Sequence, residues 1–427
     1  MVRYRVRGGN VLHGTVFVQG AKNAVLPMIG AALLAAEGRT VLRNVPIIED
    51  VRRAVELARA IGAHVELHES ERTLVIDASR LTSPVLPAEI ARRFRGSVLF
   101  VPALMHRLGE AVIKGIGGCN LGSRQLDFHY LGYKRLGAVV DEGETVIHIK
   151  AAQLSGAPLY LDTPSHTGTE NLIMAAALAK GTTVIENAAL EPEVLDVINM
   201  LRRMGARIRG SGTGFITVEG VEELTAVEHT VMPDRLDAGV FAIAAALTGG
   251  EVNLLGASLE HLGVVRWKLE QMGVEFAAHG AVLNVRRTRR LRPINIITDT
   301  YPGFATDLQS PLMTLATMAG GASYIHERIF DGRFALAAEL NKMGARVEVE
   351  GSRAVVHGPT PLSGTRVDAH DLRSGIALIL AGLVAEGETV ISPAYLIDRG
   401  HVDVAERMRL LGADVVREIS SSAGTSS

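Results

Sequence analysis

The sequence predicts an α/β protein built from six copies of one βαβαββ-like unit, a pseudo-sixfold repeat that divides into two domains of three. The first observation behind this is a recurring triplet of large apolar residue, Gly and small apolar residue. Its copies are Ile61-Gly62-Ala63, Leu136-Gly137-Ala138, Met204-Gly205-Ala206, Met272-Gly273-Val274, Met343-Gly344-Ala345 and Leu411-Gly412-Ala413. Successive glycines lie 75, 68, 68, 71 and 68 residues apart. The second is a glycine 23 to 28 residues before each triplet glycine (Gly38, Gly109, Gly181, Gly250, Gly321, Gly387), which closes an Ala/Leu-rich stretch and opens a β-branched run. Two markers in phase over the whole chain identify an internal repeat.

The elements of one unit follow in order. The stretch 171–180 (NLIMAAALAK) is apolar nearly all round and predicts a buried helix ending at Gly181. A strand follows over 182–186 (TTVIE). Apolar residues at helical spacing then predict an amphipathic helix over 193–204, stopped by Gly205, with a hairpin over 206–219. A strand–helix–strand crossover pairs its strands in parallel, and the hairpin adds antiparallel strands. One helix of each unit that is apolar all round implies helices inside and sheets outside. The segments Gly20-Ala21-Lys22-Asn23 and Met232-Pro233-Asp234-Arg235 read as crossings between domains. Domain one is then 1–21 plus 232–427, and domain two is 22–231, with a hinge and a cleft expected between them.

Composition narrows the function. Aromatics are only 4% against 47% hydrophobic residues, so Ala, Leu, Val and Ile fill the interior. A net charge of −2 provides no basic field for nucleic acid. A single cysteine allows no internal disulfide and suits a reducing cytoplasm. The N-terminus carries no signal-type apolar run, and stretches such as 238–247 are too short to span a membrane. The tail 419–427 (ISSSAGTSS) is expected to be disordered. Neither a Gly-rich nucleotide fingerprint nor a Cys/His metal spacing occurs, so no cofactor and no metal are expected.

The one thiol, Cys119, lies in KGIGGCNLGSRQLDFH (114–129), among four glycines and beside Arg124, Asp127 and His129. Glycines allow close approach of backbone to a ligand, and basic neighbours favour a reactive sulfur. The bland alternative is a small buried hydrophobe. Lys22, Arg95, Arg124, Arg373 and Arg399 stand in turn-like contexts, as does Asp307 in PGFATDLQS (302–310). Arginines with a lysine, a carboxylate and a thiol suit an anionic substrate and proton transfer. Asp307 reads equally as a cap of the helix that follows it, and His129 as a core residue.

GAKNA (20–24), GGCNLGSRQLDFH (117–129), IENAALEPEVLD (185–196), MPDR (232–235), FATDLQ (304–309), DGRF (331–334), DLR (371–373) and IDRG (397–400) resemble the motifs of the UDP-N-acetylglucosamine enolpyruvyl transferases, the enzymes of the first committed step of peptidoglycan synthesis. The resemblance runs from residue 1 to about 416. It implies an inside-out (inverse) α/β barrel fold in each domain. It also implies transfer of enolpyruvyl from phosphoenolpyruvate to the sugar 3′-hydroxyl, through a tetrahedral phosphate-bearing intermediate, in a cytoplasmic enzyme without cofactor or obligate protein partner.

Carried over by position, Cys119 is the general acid toward the methylene carbon and the thiol that fosfomycin alkylates, and Asp307 is the carboxylate toward the sugar hydroxyl. Lys22, Arg124 and Arg399 hold phosphoenolpyruvate, with Arg95 and Arg373 near the anionic ligands. Asn23, Arg124, Gln125, Leu126, Asp127, Phe128, Asp307 and Ile329 contact the UDP-sugar. Ser165 and Gly168 of the diphosphate turn and Arg333 of DGRF complete the substrate-binding set. Two departures concern the acceptor: Gln125 replaces a common proline, and 163–168 (TPSHTG) is one residue longer than usual and lacks the usual lysine near Thr163. Two alternatives therefore stand beside this one: a transferase acting on another uridine nucleotide such as UMP, and a non-catalytic UDP-sugar-binding paralogue. The shikimate-pathway synthase shares the fold but lacks the cysteine loop.

Overall fold

The computed structural model describes residues 2–92, 94–114 and 127–419, so the expected disordered tail lies almost wholly outside the described residues. The chain forms two compact units, one containing residues up to Gln19 and from Pro233 onward, the other containing Gly20 to Met232. Among the described residues there are six four-stranded sheets, three in each unit, with one shared topology. This is the predicted α/β repeat.

The unit read from the sequence shows how each sheet is made. Its elements are strand Pro158–Tyr160, helix His166–Ala177, strand Thr182–Glu186, helix Pro192–Arg203 and the strands Arg207–Arg209 and Phe215–Glu219. The first two strands pair in parallel, with Leu159 opposite Ile185. The last strand, not the one before it, then pairs antiparallel to the second, with Ile185 opposite Ile216. The short strand sits at the edge, with Ile208 opposite Val218. In every pair named, an apolar residue faces an apolar residue on the side that meets the helices.

The repeat is completed by strands from distant sequence. Glu228–Thr230 pairs in parallel with Thr40–Arg43 and so supplies the first strand of the sheet that opens the Gly20–Met232 unit. Val2–Arg7 pairs with both Glu388–Ser392 and Asp414–Ile419, and His13–Phe17 pairs with Glu251–Leu255. The first two strands of the chain thus belong with its C-terminal half.

The core is helical. In the helix Arg235–Thr248 every residue from Leu236 to Leu247 is buried, and in Leu372–Val384 every residue from Leu372 to Leu383. The helix Gln309–Ala316 is buried throughout, and these three pack on one another. The other unit repeats the arrangement with Lys22–Ala32, Val101–Leu108 and His166–Ala177. Each buried Leu, Ile or Phe contributes about 1.5–3 kcal/mol, which makes these helices the main source of stability.

The triplet glycines have a shared physical cause. Gly62, Gly137, Gly205, Gly273, Gly344 and Gly412 all adopt positive φ, from +96° to +112°. Each lets the chain leave the amphipathic helix and re-enter the sheet in a conformation costly for other residues. The other glycine set behaves less uniformly than predicted. Gly109 caps its helix directly, but it is Gly249, not Gly250, that caps Arg235–Thr248, and the helix expected to run to Lys180 stops at Ala177. Lys180 instead bridges to Ser155 at the sheet margin, where its N–H donates to the Leu154 carbonyl of the adjacent segment.

Two substitutions separate backbone strain from crowding. A Cβ added at Gly205 meets nothing within 4 Å, whereas one at Gly220 would stand 1.6 Å from the Ala179 carbonyl oxygen. We expect Gly205→Ala to cost about 1–2 kcal/mol through conformation alone. Gly220→Ala should cost clearly more. Urea-unfolding midpoints compare the two, and equal losses would contradict this account.

Candidate active site

The polar groups of interest gather at the first turns of the buried helices. Their interiors are closed to charge, while their N-termini carry unpaired N–H groups and the positive end of the helix dipole. Asp371 caps Leu372–Val384 through its carboxylate, which accepts from the backbone N–H of Arg373 (2.6 Å) and Ser374 (2.8 Å). The Ser374 hydroxyl accepts from the Asp371 N–H at 2.9 Å, so the turn is locked from both sides. That lock fixes the backbone of Arg373, itself only 4% exposed.

Asp307 stands in the short 3-10 turn Thr306–Leu308 that leads into Gln309–Ala316. Arg333 Nη2 donates to Asp307 Oδ1 and Arg373 Nη2 to Asp307 Oδ2, both at 2.7 Å. Both oxygens are thus engaged by guanidiniums, which sets aside the helix-cap alternative. The structure brings together three residues that lie in separate motifs. Burial would raise the Asp307 pKa, but Arg373 and then Arg333 hold it well below the usual carboxylate range. Arg373 in turn is raised by Asp307 against the opposing effect of its own burial. The Nε atoms of Arg333 and Arg373 are buried with no acceptor among the described residues.

Sequence reasoning missed the supporting residues. Glu327, only 2% exposed, accepts from the hydroxyls of Thr298 (2.8 Å) and Thr306 (2.9 Å). It also accepts from the backbone N–H of Ile329 and Phe330, at 2.8 and 3.1 Å, which shapes the turn carrying Ile329. Gln19 anchors the turn after Arg399: its Nε2 donates to the Gly400 carbonyl (2.9 Å) and its Oε1 accepts from the Val402 N–H (2.9 Å). Arg399 itself is buried at the end of helix Tyr395–Asp398. Behind it the fully buried Asp237 accepts two bonds from Arg407, at 2.7 and 2.9 Å. Burial pushes the neighbouring His401 down to about 4, so it is neutral. No residue-type spacing announces Glu327 or Gln19, because each acts across the fold on a partner distant in sequence.

In the other unit Lys22 begins the helix Lys22–Ala32 and pairs with the buried Asp50 at 2.8 Å, with Asn23 half-buried beside it. Ser165 caps His166–Ala177, its hydroxyl accepting from the Gly168 N–H at 3.1 Å. A Cβ at Gly168 would stand 2.8 Å from that hydroxyl and 3.7 Å from the Cβ of Phe128, which sits on helix Asp127–Arg135. In the same turn His166 meets Glu170 at 3.1 Å. Its desolvation is overcome by Glu170, Glu191 and Glu193, which push the imidazole up to about 10. Burial in turn raises the Glu170 carboxyl to about 7, so His166 and Glu170 titrate as a pair in the turn from which the usual lysine is missing. His129 is buried, as its bland alternative expected.

Cys119, Arg124, Gln125 and Leu126 lie outside the described residues, as do the side chains of Arg95 and Asp127. Among the described residues no cluster of three or more His, Cys, Asp or Glu side chains is arranged to hold a metal ion. Nor is any described helix long and apolar enough to cross a membrane.

Comparison with known proteins agrees with this architecture. The family model for EPSP synthase (3-phosphoshikimate 1-carboxyvinyltransferase) matches residues 6–408. The chain belongs to this family of carboxyvinyl (enolpyruvyl) transferases, enzymes with an inverse α/β barrel fold. Within the family it is 72% identical over 424 residues to the UDP-N-acetylglucosamine 1-carboxyvinyltransferase of Thermobifida fusca, covering 98% of both chains. It is 43% identical to a second protein of that name from Halalkalibacterium halodurans, covering 99% of this chain and 96% of the relative. Among solved structures, the enolpyruvyl transferase NikO from Streptomyces tendae superposes with a TM-score of 0.88 at 27% identity, over 97% of this chain and 98% of that one. EPSP synthase from Acinetobacter baumannii, at 20% identity and TM-score 0.76 over 98% and 100% of the two chains, shares the fold.

The Asp307 clamp makes a pH-dependent prediction. A carboxyl whose folded pKa is depressed stabilises the fold above its unfolded value, and that contribution is lost as pH falls through the folded value. Asp307→Asn removes the carboxylate to which both buried guanidiniums donate. Because the Asp307 side chain is 23% exposed, we expect the low end of the range for a broken buried pair, about 3 kcal/mol at pH 7. The deficit should shrink as pH falls below about 4, where the carboxyl of the unfolded chain takes up a proton while the clamped one does not, and millimolar phosphate should restore part of it at pH 7. Thermal denaturation against pH measures both, and a deficit independent of pH would contradict the clamp.

Proposed function

We propose that this enzyme transfers the enolpyruvyl group of phosphoenolpyruvate to the 3′-hydroxyl of UDP-N-acetylglucosamine and releases phosphate, the first committed step of peptidoglycan synthesis. The observation that carries the acceptor is the 72% identity, across nearly the full length of both chains, to a relative of that name. Where the family's lysine is absent, the turn carries His166, whose imidazole Glu170 holds above its usual range against the effect of burial. A cytoplasmic setting fits a reaction on phosphorylated intermediates.

The described residues support a division of labour. Arg333 and Arg373 are held in place by Asp307, each with a further buried N–H unpaired, so they are set to receive an anion. While both grip Asp307, that carboxylate is ionised at every physiological pH and is a weak base. An arriving phosphate or carboxylate shares the guanidinium charge, which raises the basicity of Asp307 beside the sugar hydroxyl. Lys22, balanced by Asp50, Arg399 on its anchored turn, Arg95 and Arg124 complete the cationic set. Cys119 gives its proton to the methylene carbon as the hydroxyl oxygen attacks the adjacent carbon. The resulting tetrahedral adduct then loses phosphate and a methyl proton to regenerate the double bond. Asn23, Gln125, Leu126, Asp127, Phe128, Ser165, Gly168 and Ile329 hold the sugar nucleotide.

Phosphate release should require phosphoenolpyruvate and UDP-N-acetylglucosamine together, and UMP should not replace the sugar nucleotide. Turnover with UMP and none with the sugar would overturn the acceptor. Cys119→Ala should lose activity by a factor of about 10² or more and lose labelling by an epoxide-phosphonate such as fosfomycin. Cys119→Asp should keep turnover while resisting that label. Full activity of Cys119→Ala would remove the general-acid role.

A further inference from the structure

We infer that Glu327 is the positioning residue of the acid–base site, acting through the Thr306 hydroxyl to aim Arg333 at Asp307. The inference rests on the function proposed above and adds a residue that the sequence motifs do not mark. A threonine hydroxyl has one proton. Glu327 Oε2 takes it at 2.9 Å, so the Thr306 oxygen presents a lone pair elsewhere. Arg333 Nη1 donates to that oxygen at 2.7 Å, and its Nη2 reaches Asp307 Oδ1 at 2.7 Å. The guanidinium is planar, so fixing Nη1 fixes the direction of Nη2. Arg333 is also stacked on Phe330, its guanidinium carbon 5.0 Å from the ring centroid.

Glu327 holds this side of the site at a second place as well. Its Oε1 accepts from the Ile329 and Phe330 N–H groups and from Thr298, whose oxygen in turn accepts from the Arg328 N–H at 2.9 Å. A single buried carboxylate therefore sets the turn that places Ile329, the ring that supports Arg333 and the proton order that orients it. Glu327 touches no reacting atom in this scheme, so its effect on the reaction passes through Asp307.

Substitution separates this relay from ordinary structural support. Glu327→Gln offers an oxygen to Thr298 and the two backbone amides but an N–H₂ group to Thr306, which reverses the proton order. We expect kcat to fall on the order of tenfold to a hundredfold, while the melting temperature stays within about 3 °C of the wild type. The acid limb of the kcat profile should move to higher pH as Asp307 loosens from Arg333. Thr306→Val, which leaves the Oε1 contacts intact, should reproduce both effects, and Thr306→Ser should restore wild-type behaviour. A Glu327→Gln enzyme within twofold of wild type with an unmoved profile would overturn the inference. So would an inert Thr306→Val, which alone decides the matter should Glu327→Gln fold poorly. A wild type that neither turns over nor binds UDP-N-acetylglucosamine in calorimetry sinks the functional proposal and this inference together. A working wild type beside unaffected variants sinks only the inference.

Discussion

The structure depends on central helices so apolar that their middles exclude charge. Arg235–Thr248, Gln309–Ala316 and Leu372–Val384 are buried along nearly their whole length and pack on one another. A helix in that position has one place for polar chemistry, its end. The N-terminal end is the useful one, because free N–H groups and the helix dipole meet anions there. Asp307 precedes one of these helices, Asp371 and Arg373 begin another, and Asp234 caps the third. In the other unit Lys22 and Ser165 hold the corresponding positions. The apolar core thus determines where the enzyme can place charge.

Charge balance then distinguishes two kinds of ion pair. Asp237 and Arg407 are sealed together, with the neutral His401 beside them, and they serve the backbone of the Arg399 turn through Gln19. Asp307 is different. It is shared by two arginines, keeps part of its surface open and leaves each guanidinium with a spare donor. A pair of the first kind has nothing to exchange with a ligand. On the proposed function, the second can trade its partner for an incoming anion, because each guanidinium keeps a buried donor with no acceptor among the described residues. Lys22 with Asp50 is a simpler exchange of the same type.

Sequence pattern captured the periodic features. The six triplet glycines were legible because each must adopt positive φ at the same point of the same unit. The burial of the central helices was legible from their uniform apolarity. Helix ends were less so: Ala177 and Gly249 depend on which neighbour competes for the last carbonyls. Of the site, Asp307, Arg333 and Arg373 were recognisable through their motifs, but their mutual contact was not. Glu327, Gln19 and Asp50 carried no signal, because a buried carboxylate or amide looks like any other until its partners are known.

By itself the sequence determined the repeat, the inside-out layering and the residue types available for anion chemistry, because these follow from local period, glycine conformation and hydrophobicity. Tertiary structure decided that Asp307 is a clamped carboxylate and not a helix cap, and which strands, in which register, the first two strands join in the C-terminal half to which the crossings at 20–23 and 232–235 had already assigned residues 1–21. It also decided that Glu327 orders the protons beside the site. These are contacts between segments far apart in the chain. Their energies depend on burial and on distances of a few ångströms, which no local pattern of residues encodes.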